Sequence, residues 1–292
     1  MPAAKLPFGL PEVDYSEYTN RQLVAVPLAL LLVSLLIIGG VWLTTGAPVD
    51  LGVEFTGGTE MRVAVDGDNA DQQIQQAFDP APSSVQPVAG EDTYILTFGE
   101  GVDSETLESQ AQDAGFTVSA IDATSASFGE QAQIQALGGV AVAFVGMSVL
   151  VFVMFRTFVP SIAVVLSAFS DIVVPVALMN VLGIKLTLGS VAALLMIIGY
   201  SVDSDILLNN HVLRRQGSFY ESAYRAMETG ITMTLTSIAA MLVMTIVATA
   251  FGIGLLSSIG LILVFGLTTD LMNTYMLNMS LLRWWKFEGV NR

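Results

Sequence analysis

Six apolar runs, each long enough to cross a lipid bilayer, constrain this chain more than any other feature of its sequence. A bilayer core is about 30 Å thick, so a helix needs about 20 apolar residues to span it. Because backbone groups in lipid must form their hydrogen bonds within the spanning element, each run is predicted to be a helix. The runs cover residues 23–45, 134–155, 160–182, 186–213, 231–251 and 255–285.

Composition agrees with a membrane protein and excludes several classes of function. Hydrophobic residues make up 53% of the chain and charged residues only 13%, whereas soluble domains are about a quarter charged. The net charge of −15 argues against nucleic acid as a partner, because phosphates would be repelled. With no cysteine and one histidine, we expect no metal site. Without a nucleotide-binding loop or catalytic triad, we expect no cofactor and no enzymatic activity.

The lysines and arginines predict how the chain is oriented. Nine of the eleven fall on the side of the termini, and only Arg62 and Lys185 fall on the other. By the positive-inside rule, both termini face the cytoplasm of a multi-pass protein in the plasma membrane. The acidic residues before the first run argue against a cleaved signal peptide. The predicted parts are a cytoplasmic segment (1–22), a first membrane helix (23–45), an extracytoplasmic domain (46–131), five further membrane helices (132–285) and a cytoplasmic tail (286–292).

The polar stretch at residues 46–131 predicts a small α+β domain between helices 1 and 2. Strand patterns at 59–65, 83–88, 93–98 and 117–123 alternate with helix patterns at 69–78 and 104–116. This β-α-β-β-α-β order is that of a ferredoxin-like unit. The stretch carries sixteen acidic residues and a single arginine. Such a surface suits solvation in a halophilic organism, where salt screens dense charge, and a cation-binding role is the alternative.

Four carboxyls inside the apolar runs are the candidate functional residues: Asp171, Asp203, Asp205 and Asp270. A carboxylate at mid-bilayer costs roughly 2.5–3.5 kcal/mol, so each needs a partner or a water-lined cavity. Asn273 lies close to Asp270 in the sixth run. These polar residues are interpreted either as an ion relay or as hydrogen bonds that hold helices together.

Helical geometry separates Asp203 from Asp205. Gly199, Asp203 and Asn210 share one helix face, while Asp205 lies about 200° around the helix from Asp203. The run contains no lysine or arginine to pair with Asp203. We therefore expect Asp203 to be the main relay residue and Asp205 to matter less.

Two motifs resemble those of the SecD/SecF family of protein-export membrane proteins. The segment from residue 52 to 59 matches G-[IV]-[DE]-F-[TS]-G-G-T, and residues 198–208 (IGYSVDSDILL) resemble the family's fourth-span motif. Bacterial members of the shorter kind usually have their acid at the position of Ser204, whereas this chain has Asp203. The residues of the first motif that carry the resemblance are Gly52, Glu54, Phe55, Thr56, Gly57, Gly58 and Thr59.

The resemblance covers nearly the whole chain and implies an accessory role in protein export. It implies a SecD-like subunit, a SecY-type channel, unfolded translocating polypeptide and membrane lipid as partners, within the resistance-nodulation-division superfamily. Two alternatives stay open: a small-molecule or lipid exporter of that superfamily, and a purely structural partner of the SecD-like subunit. The coupling ion, proton or sodium, also stays open. The adjacent Gly57 and Gly58 predict a hinge between the first span and the first strand.

Overall fold

The computed structural model of the chain describes residues 14–65, 69–88, 92–214, 218–251 and 253–289. Most of the predicted cytoplasmic segment and part of the predicted tail lie outside these residues. The chain divides into two compact units: a helical unit, Met1–Asp50 with Gly139–Arg292, and a sheet unit, Leu51–Gly138. The domain bounds predicted at residues 46 and 131 stay a prediction.

The sheet unit contains four antiparallel strands within its described residues, in the order β2–β3–β1–β4 across the sheet. From β1 to β4 its elements follow the β-α-β-β-α-β order that the sequence predicts. A short helix precedes the first strand. The elements are α2 (Val53–Thr56), β1 (Gly58–Ala64), α3 (Ala70–Ala77), β2 (Ser84–Pro87), β3 (Thr93–Phe98), α4 (Ser104–Asp113) and β4 (Thr117–Thr124).

The core of the sheet unit lies between one face of the sheet and the helices α3 and α4. Met61 and Val63 of β1 point to this face and are fully buried, because alternate side chains of a strand share a face. Ile74 of α3 and Leu107 of α4 pack against them. Arg62 lies between the two inward residues and is only half-buried, as expected for an antiparallel sheet with one open face.

Six helices within the described residues are long and apolar enough to cross a membrane, as predicted. The last of them is interrupted by a π-helical segment, in which the helical turn is wider than in an α-helix. The helices are α1 (Asn20–Thr45), α5 (Ala126–Phe155), α6 (Phe158–Leu182), α7 (Leu188–Arg214), α8 (Phe219–Ala250) and the final span, which consists of α9 (Gly254–Met272), the π segment (Asn273–Asn278) and α10 (Met279–Phe287).

Capping residues mark where some of these helices begin and end. At the start of α1, Thr19 accepts a hydrogen bond from the Gln22 amide, and the Gln22 side chain accepts one from the Thr19 amide. This reciprocal arrangement satisfies two otherwise free backbone donors. Gly46 ends α1 with a φ of 81°, a left-handed conformation that glycine adopts at low cost. At the start of α8, the Ser218 hydroxyl accepts a hydrogen bond from the Glu221 amide.

Helices α6, α7 and α9 form the interior of the helical unit. In its most apolar stretch, α6 is 61% buried, whereas α5 is only 6% buried. Small residues such as Ala163 and Ala168 of α6 are fully buried, which allows the helix backbones to approach closely. The outer surface of the helical unit is therefore supplied mainly by α1, α5 and α8.

The segment before α1 is fixed to the opposite end of the chain. Tyr15 lies in a short 3-10 turn and is 4% exposed. Its hydroxyl donates to the Tyr275 carbonyl at 2.7 Å, and its ring stacks on Tyr224. The Arg283 guanidinium donates to the carbonyls of Tyr15 and Tyr18, both at 2.8 Å. The start of the first span is thereby tied to α8 and to the final span.

Candidate functional site

Three of the four predicted carboxyls meet inside the helical unit. Asp171 of α6, Asp205 of α7 and Asp270 of α9 are each 2% exposed or less. We call these three residues the carboxyl cluster. The Thr274 hydroxyl contacts both Asp205 and Asp270, and the neighbouring Asn273 contacts Asp171. Three separate helices therefore deliver one acid each to a common buried position.

Asp171 is held from two sides. The Ser201 hydroxyl of α7 donates to its Oδ2 at 2.6 Å. The Asn273 side-chain amide donates to its Oδ1, also at 2.6 Å. Asn273 was predicted as part of the site, whereas Ser201 was not. The signal for Ser201 is its spacing, one helical turn before Asp205 on the same face.

Asp205 receives both of its hydrogen bonds on one oxygen. The Thr274 hydroxyl lies 2.9 Å from its Oδ1, and the Asn278 amide lies 2.7 Å from the same atom. The other oxygen, Oδ2, is buried without a hydrogen-bond partner among the described residues. This carboxyl is therefore held through one oxygen by the π segment, and Ser167 of α6 lies close to it.

Asp270 is held by hydroxyl groups. The Ser204 hydroxyl lies 2.7 Å from its Oδ1 and 3.0 Å from its Oδ2. The Thr274 hydroxyl lies 3.2 Å from its Oδ1. The hydrogen bonds found for the three acids in the described part of the chain thus come from serine, threonine and asparagine, and none comes from a basic side chain.

The π segment explains why so many donors come from one short stretch. Asn273 and Asn278 are five residues apart, which would place them about 140° apart on an α-helix. In a π-helix the backbone bonds run from i to i+5, so residues five apart lie on one face. Asn273 and Asn278 both reach the carboxyl cluster for this reason, and Thr274 lies between them. π-helical turns inside α-helices are frequent at functional sites.

Asp203 lies outside the cluster. Its side chain is exposed in this chain, and it lines a cavity of about 110 Å³. Ser204 and Asp270 line the same cavity, so it reaches one member of the cluster. The structure places Asp205, rather than Asp203, among the buried acids, and the expectation that Asp203 is the main relay residue stays a prediction. Helix periodicity separated the two residues correctly, but it could not show which face is turned inward.

Helix α8 contributes no donor to the cluster in the described contacts. Its Thr249 hydroxyl instead bonds to Ser257 of α9 at 2.7 Å. Gly260 of α9 packs directly against the Thr245 side chain. Nearer the start of α8, Gly230 and Thr234 line the cavity beside Asp270. The polar residue Thr249 of α8 therefore joins two helices, whereas Thr234 faces the cavity.

The glycine-rich motif forms a tight corner within the sheet unit. Gly57 and Gly58 have φ angles of 76° and 117°, which side chains other than glycine rarely adopt. A Cβ atom on Gly57 would lie 2.8 Å from the Ala126 backbone, and one on Gly58 would collide with the Phe98 carbonyl oxygen. The hinge predicted here stays a prediction, because these contacts describe close packing.

The other residues of the motif build the same corner. Gly52 precedes α2, and its carbonyl accepts from the Thr56 hydroxyl at 3.3 Å. Phe55 is 3% exposed and Thr59 is 2% exposed, while Glu54 is half-buried. The motif therefore closes the turn from α2 into β1 within the sheet unit.

Family models match both features. The model described as "Protein export membrane protein SecD/SecF, C-terminal" matches residues 104–288, and the "SecD/SecF GG Motif" model matches residues 42–68. The chain belongs to the SecD/SecF family. The first model covers the spans that carry the carboxyl cluster, and the second covers the glycine corner.

Curated relatives place the chain on the SecF side of this family. "Protein-export membrane protein SecF" of Haloferax volcanii is 68% identical over 286 residues, which is 98% of this chain and 99% of that protein. The protein of the same name from Haloquadratum walsbyi is 64% identical over 289 residues, again 98% of this chain and 99% of the relative. Relatives from halophilic archaea agree with the expectation drawn from the acidic composition.

A solved structure shows the same fold in a longer protein. SecDF, a translocon-associated membrane protein from Thermus thermophilus, superimposes with a TM-score of 0.70 at 18% identity. The match covers 97% of this chain and 40% of the SecDF chain. SecDF in its super-membrane-facing form gives a TM-score of 0.54 at 19% identity over 96% of this chain. The helical fold with a small sheet unit is therefore shared with SecDF.

Proposed function

We propose that this chain is a non-enzymatic accessory subunit of the Sec protein-export machinery in the plasma membrane. It acts with a SecD-like subunit and helps unfolded polypeptides to cross a SecY-type channel. The two halophilic relatives named for protein export, each matched over nearly its full length, support this role. The fold shared with translocon-associated SecDF is consistent with it.

The proposal includes an orientation. Both termini face the cytoplasm, and the sheet unit is a ferredoxin-like domain outside it, where it contacts polypeptide or a partner subunit. The distribution of lysine and arginine supports this orientation. The element order and the β2–β3–β1–β4 sheet support the ferredoxin-like assignment.

The carboxyl cluster couples movement of a cation to rearrangement of the helices. The observation that carries this part is the burial of Asp171, Asp205 and Asp270 with hydroxyl and amide donors only. Three buried carboxylates without positive charge would be strongly unfavourable. A proton or another small cation must therefore accompany them, and its arrival or departure changes the hydrogen bonds between α6, α7 and α9.

The SecD-like subunit covers the exposed face of α7. Gly199, Tyr200 and Asp203 are all exposed on this face. A carboxylate exposed to lipid is unfavourable, so a partner helix or a water-filled crevice must lie against Asp203. Membrane lipid covers the apolar outer faces of α1 and α5, on which Leu36 is 66% exposed and Val142 is 74% exposed.

Export into sealed membrane vesicles tests the proposed function. Purification of the native complex should recover the SecD-like subunit and the SecY-type channel, and export should be faster under an ion gradient. The variant Asp171→Asn should assemble normally and lose this stimulation, because asparagine keeps the shape of the side chain and cannot bind a proton. Normal stimulation in that variant would favour the purely structural partner, and a tightly bound small molecule or lipid would favour the exporter.

A crosslinking experiment tests the partner surface. The natural sequence has no cysteine, so single cysteines at Gly199 or Asn210 can be paired with cysteines in the SecD-like subunit. Disulfides should form from Gly199→Cys. A cysteine at Val142, on the proposed lipid-facing side, is the matched control and should not react. Crosslinks from Val142→Cys alone would show that another surface binds the partner.

A further inference from the structure

The hydroxyl of Thr274 lies between two members of the carboxyl cluster. Its Oγ1 atom is 2.9 Å from Asp205 Oδ1 and 3.2 Å from Asp270 Oδ1. It is also 3.2 Å from the Ser204 hydroxyl. Thr274 is completely buried, so bulk water does not compete for these contacts. One hydroxyl thus connects an acid on α7 with an acid on α9.

Counting hydrogens shows what these contacts require. A hydroxyl carries one hydrogen to donate and two lone pairs to accept with. If the Thr274 hydrogen points at Asp205, a second linear hydrogen bond between Thr274 and Asp270 forms only when Asp270 is protonated and donates. The opposite assignment requires a proton on Asp205. The geometry therefore fits one proton shared by the two acids across Thr274.

We propose that Thr274 passes protons between Asp270 and Asp205, an inference that rests on the ion coupling proposed above and names its ion. In each transfer, the O–H bond of protonated Asp270 breaks as its proton binds Thr274 Oγ1. At the same time, the Thr274 hydroxyl proton moves to the Asp205 carboxylate. Asp270 becomes a carboxylate, Asp205 becomes an acid, and Thr274 ends with one hydroxyl proton as before. Rotation of the hydroxyl prepares it for the next transfer.

The surroundings of Asp270 supply an entry for the proton. Asp270 and Ser204 line the cavity of about 110 Å³ that Asp203 also faces, so a proton can reach Asp270 from that side. Asp205 lies beyond Thr274 and is fully buried. The Asn278 amide, 2.7 Å from Asp205 Oδ1, holds this carboxyl against Thr274. Thr274 is thus the positioning residue between the two inner acids.

Three variants separate the hydroxyl from the shape of the side chain. Thr274→Val keeps the shape and removes the hydroxyl, whereas Thr274→Ser keeps the hydroxyl. The matched control is Thr269→Val, because Thr269 is also buried in the same span but its hydroxyl donates only to the Phe265 carbonyl. Proton-gradient-stimulated export should fall about tenfold in Thr274→Val, as expected for losing one buried hydrogen bond in the transfer. Thr274→Ser should regain most of it, and Thr269→Val should resemble the wild type.

The outcomes distinguish this inference from the proposed function. If a sodium gradient rather than a proton gradient stimulates the wild type, proton transfer through Thr274 is excluded while ion coupling stands. If no gradient stimulates the wild type, both fail. If Thr274→Val is stimulated normally, or if Thr274→Ser loses as much stimulation as Thr274→Val, the role of the Thr274 hydroxyl is overturned. The proposed ion coupling stands in both cases.

A measurement on the unmodified complex covers the case in which Thr274→Val does not assemble. Replacing water by deuterium oxide should slow gradient-stimulated export more than export without a gradient, because the transferred particle is then a deuteron. Equal slowing of both would contradict a proton transfer that limits the coupled step.

Discussion

At the scale of single residues, the carboxyl cluster is held by uncharged hydrogen-bond donors at short distances. Ser201, Ser204 and Thr274 supply hydroxyls, and Asn273 and Asn278 supply amides. None of these groups carries a charge, so they hold the acids in place without neutralising them. In the proposed function, a mobile cation supplies the balancing charge.

The acids should differ in importance according to burial. We expect Asp205→Asn to lower the gradient-dependent part of export at least about tenfold, because a lost proton-transfer group usually costs that much or more. Asp203→Asn is the matched comparison, since it makes the same change two residues away at an exposed position. Export rates in vesicles with and without a gradient measure the effect of each variant. A larger loss in Asp203→Asn than in Asp205→Asn would support the sequence-based prediction that Asp203 is the main relay residue.

The glycine corner should be sensitive to a single methyl group. We expect Gly58→Ala to lower the stability of the protein by about 1–3 kcal/mol, the usual range for a strained backbone conformation. The collision of the new Cβ with the Phe98 carbonyl oxygen adds to this strain. Gly99→Ala is the control, because a Cβ there meets no atom within 4 Å. Thermal unfolding of the purified full chain measures the melting temperature of each variant. Equal melting temperatures for Gly58→Ala and Gly99→Ala would contradict the prediction.

At the scale of elements, the final span combines two tasks. Its π segment supplies donors to the carboxyl cluster, and α10 binds the turn that precedes α1. Tyr275 belongs to the π segment, and its carbonyl accepts from Tyr15 at 2.7 Å. A change of geometry in the π segment would therefore alter contacts both at the carboxyl cluster and at the start of the first span.

Arg283 should hold the N-terminal turn in place. We expect Arg283→Gln to make the chain around Tyr15 and Tyr18 more accessible to protease, because both carbonyls lose a charged donor. Lys286→Gln is the control, since Lys286 is an exposed cation in the same helix. Limited proteolysis of the purified chain, followed by mass spectrometry, compares the two. Equal cleavage in both variants would mean that the aromatic contacts alone hold the turn.

At the scale of the whole molecule, the chain joins a helical unit with small buried polar groups to a sheet unit with an ordinary apolar core. The helical unit relies on close helix packing because lipid offers no hydrophobic driving force between helices. The sheet unit buries Met61, Val63, Ile74 and Leu107 as a water-soluble domain does. The helical unit and the sheet unit therefore have different kinds of core, because lipid surrounds the first and water surrounds the second in the proposed topology.

Cysteine labelling of intact cells should reveal the orientation. A membrane-impermeant maleimide should react with Ala114→Cys in the sheet unit and not with Glu288→Cys at the end of the final span, because both positions are exposed but lie on opposite sides in the proposed topology. The natural chain is the control, since it has no cysteine. After lysis both variants should react. Labelling of Glu288→Cys alone in intact cells would reverse the topology.

The sequence by itself determined the six spans, the element order of the sheet unit and the family. Each depends on a local pattern: runs of apolar residues, alternation with period two, and two short motifs. It also singled out Asp171, Asp203, Asp205, Asp270 and Asn273 as polar residues in apolar surroundings, a contrast that needs no tertiary information.

Only the tertiary structure decided which acids meet. Periodicity showed that Asp203 and Asp205 lie on different faces of α7, but the direction of each face depends on how α6 and α9 pack. The π segment was also beyond reach, because a wider turn depends on side-chain contacts that local propensity does not encode. Thr274 could be placed between Asp205 and Asp270 only once both were known. Side chains from distant parts of the chain make this site, so its composition is fixed by packing.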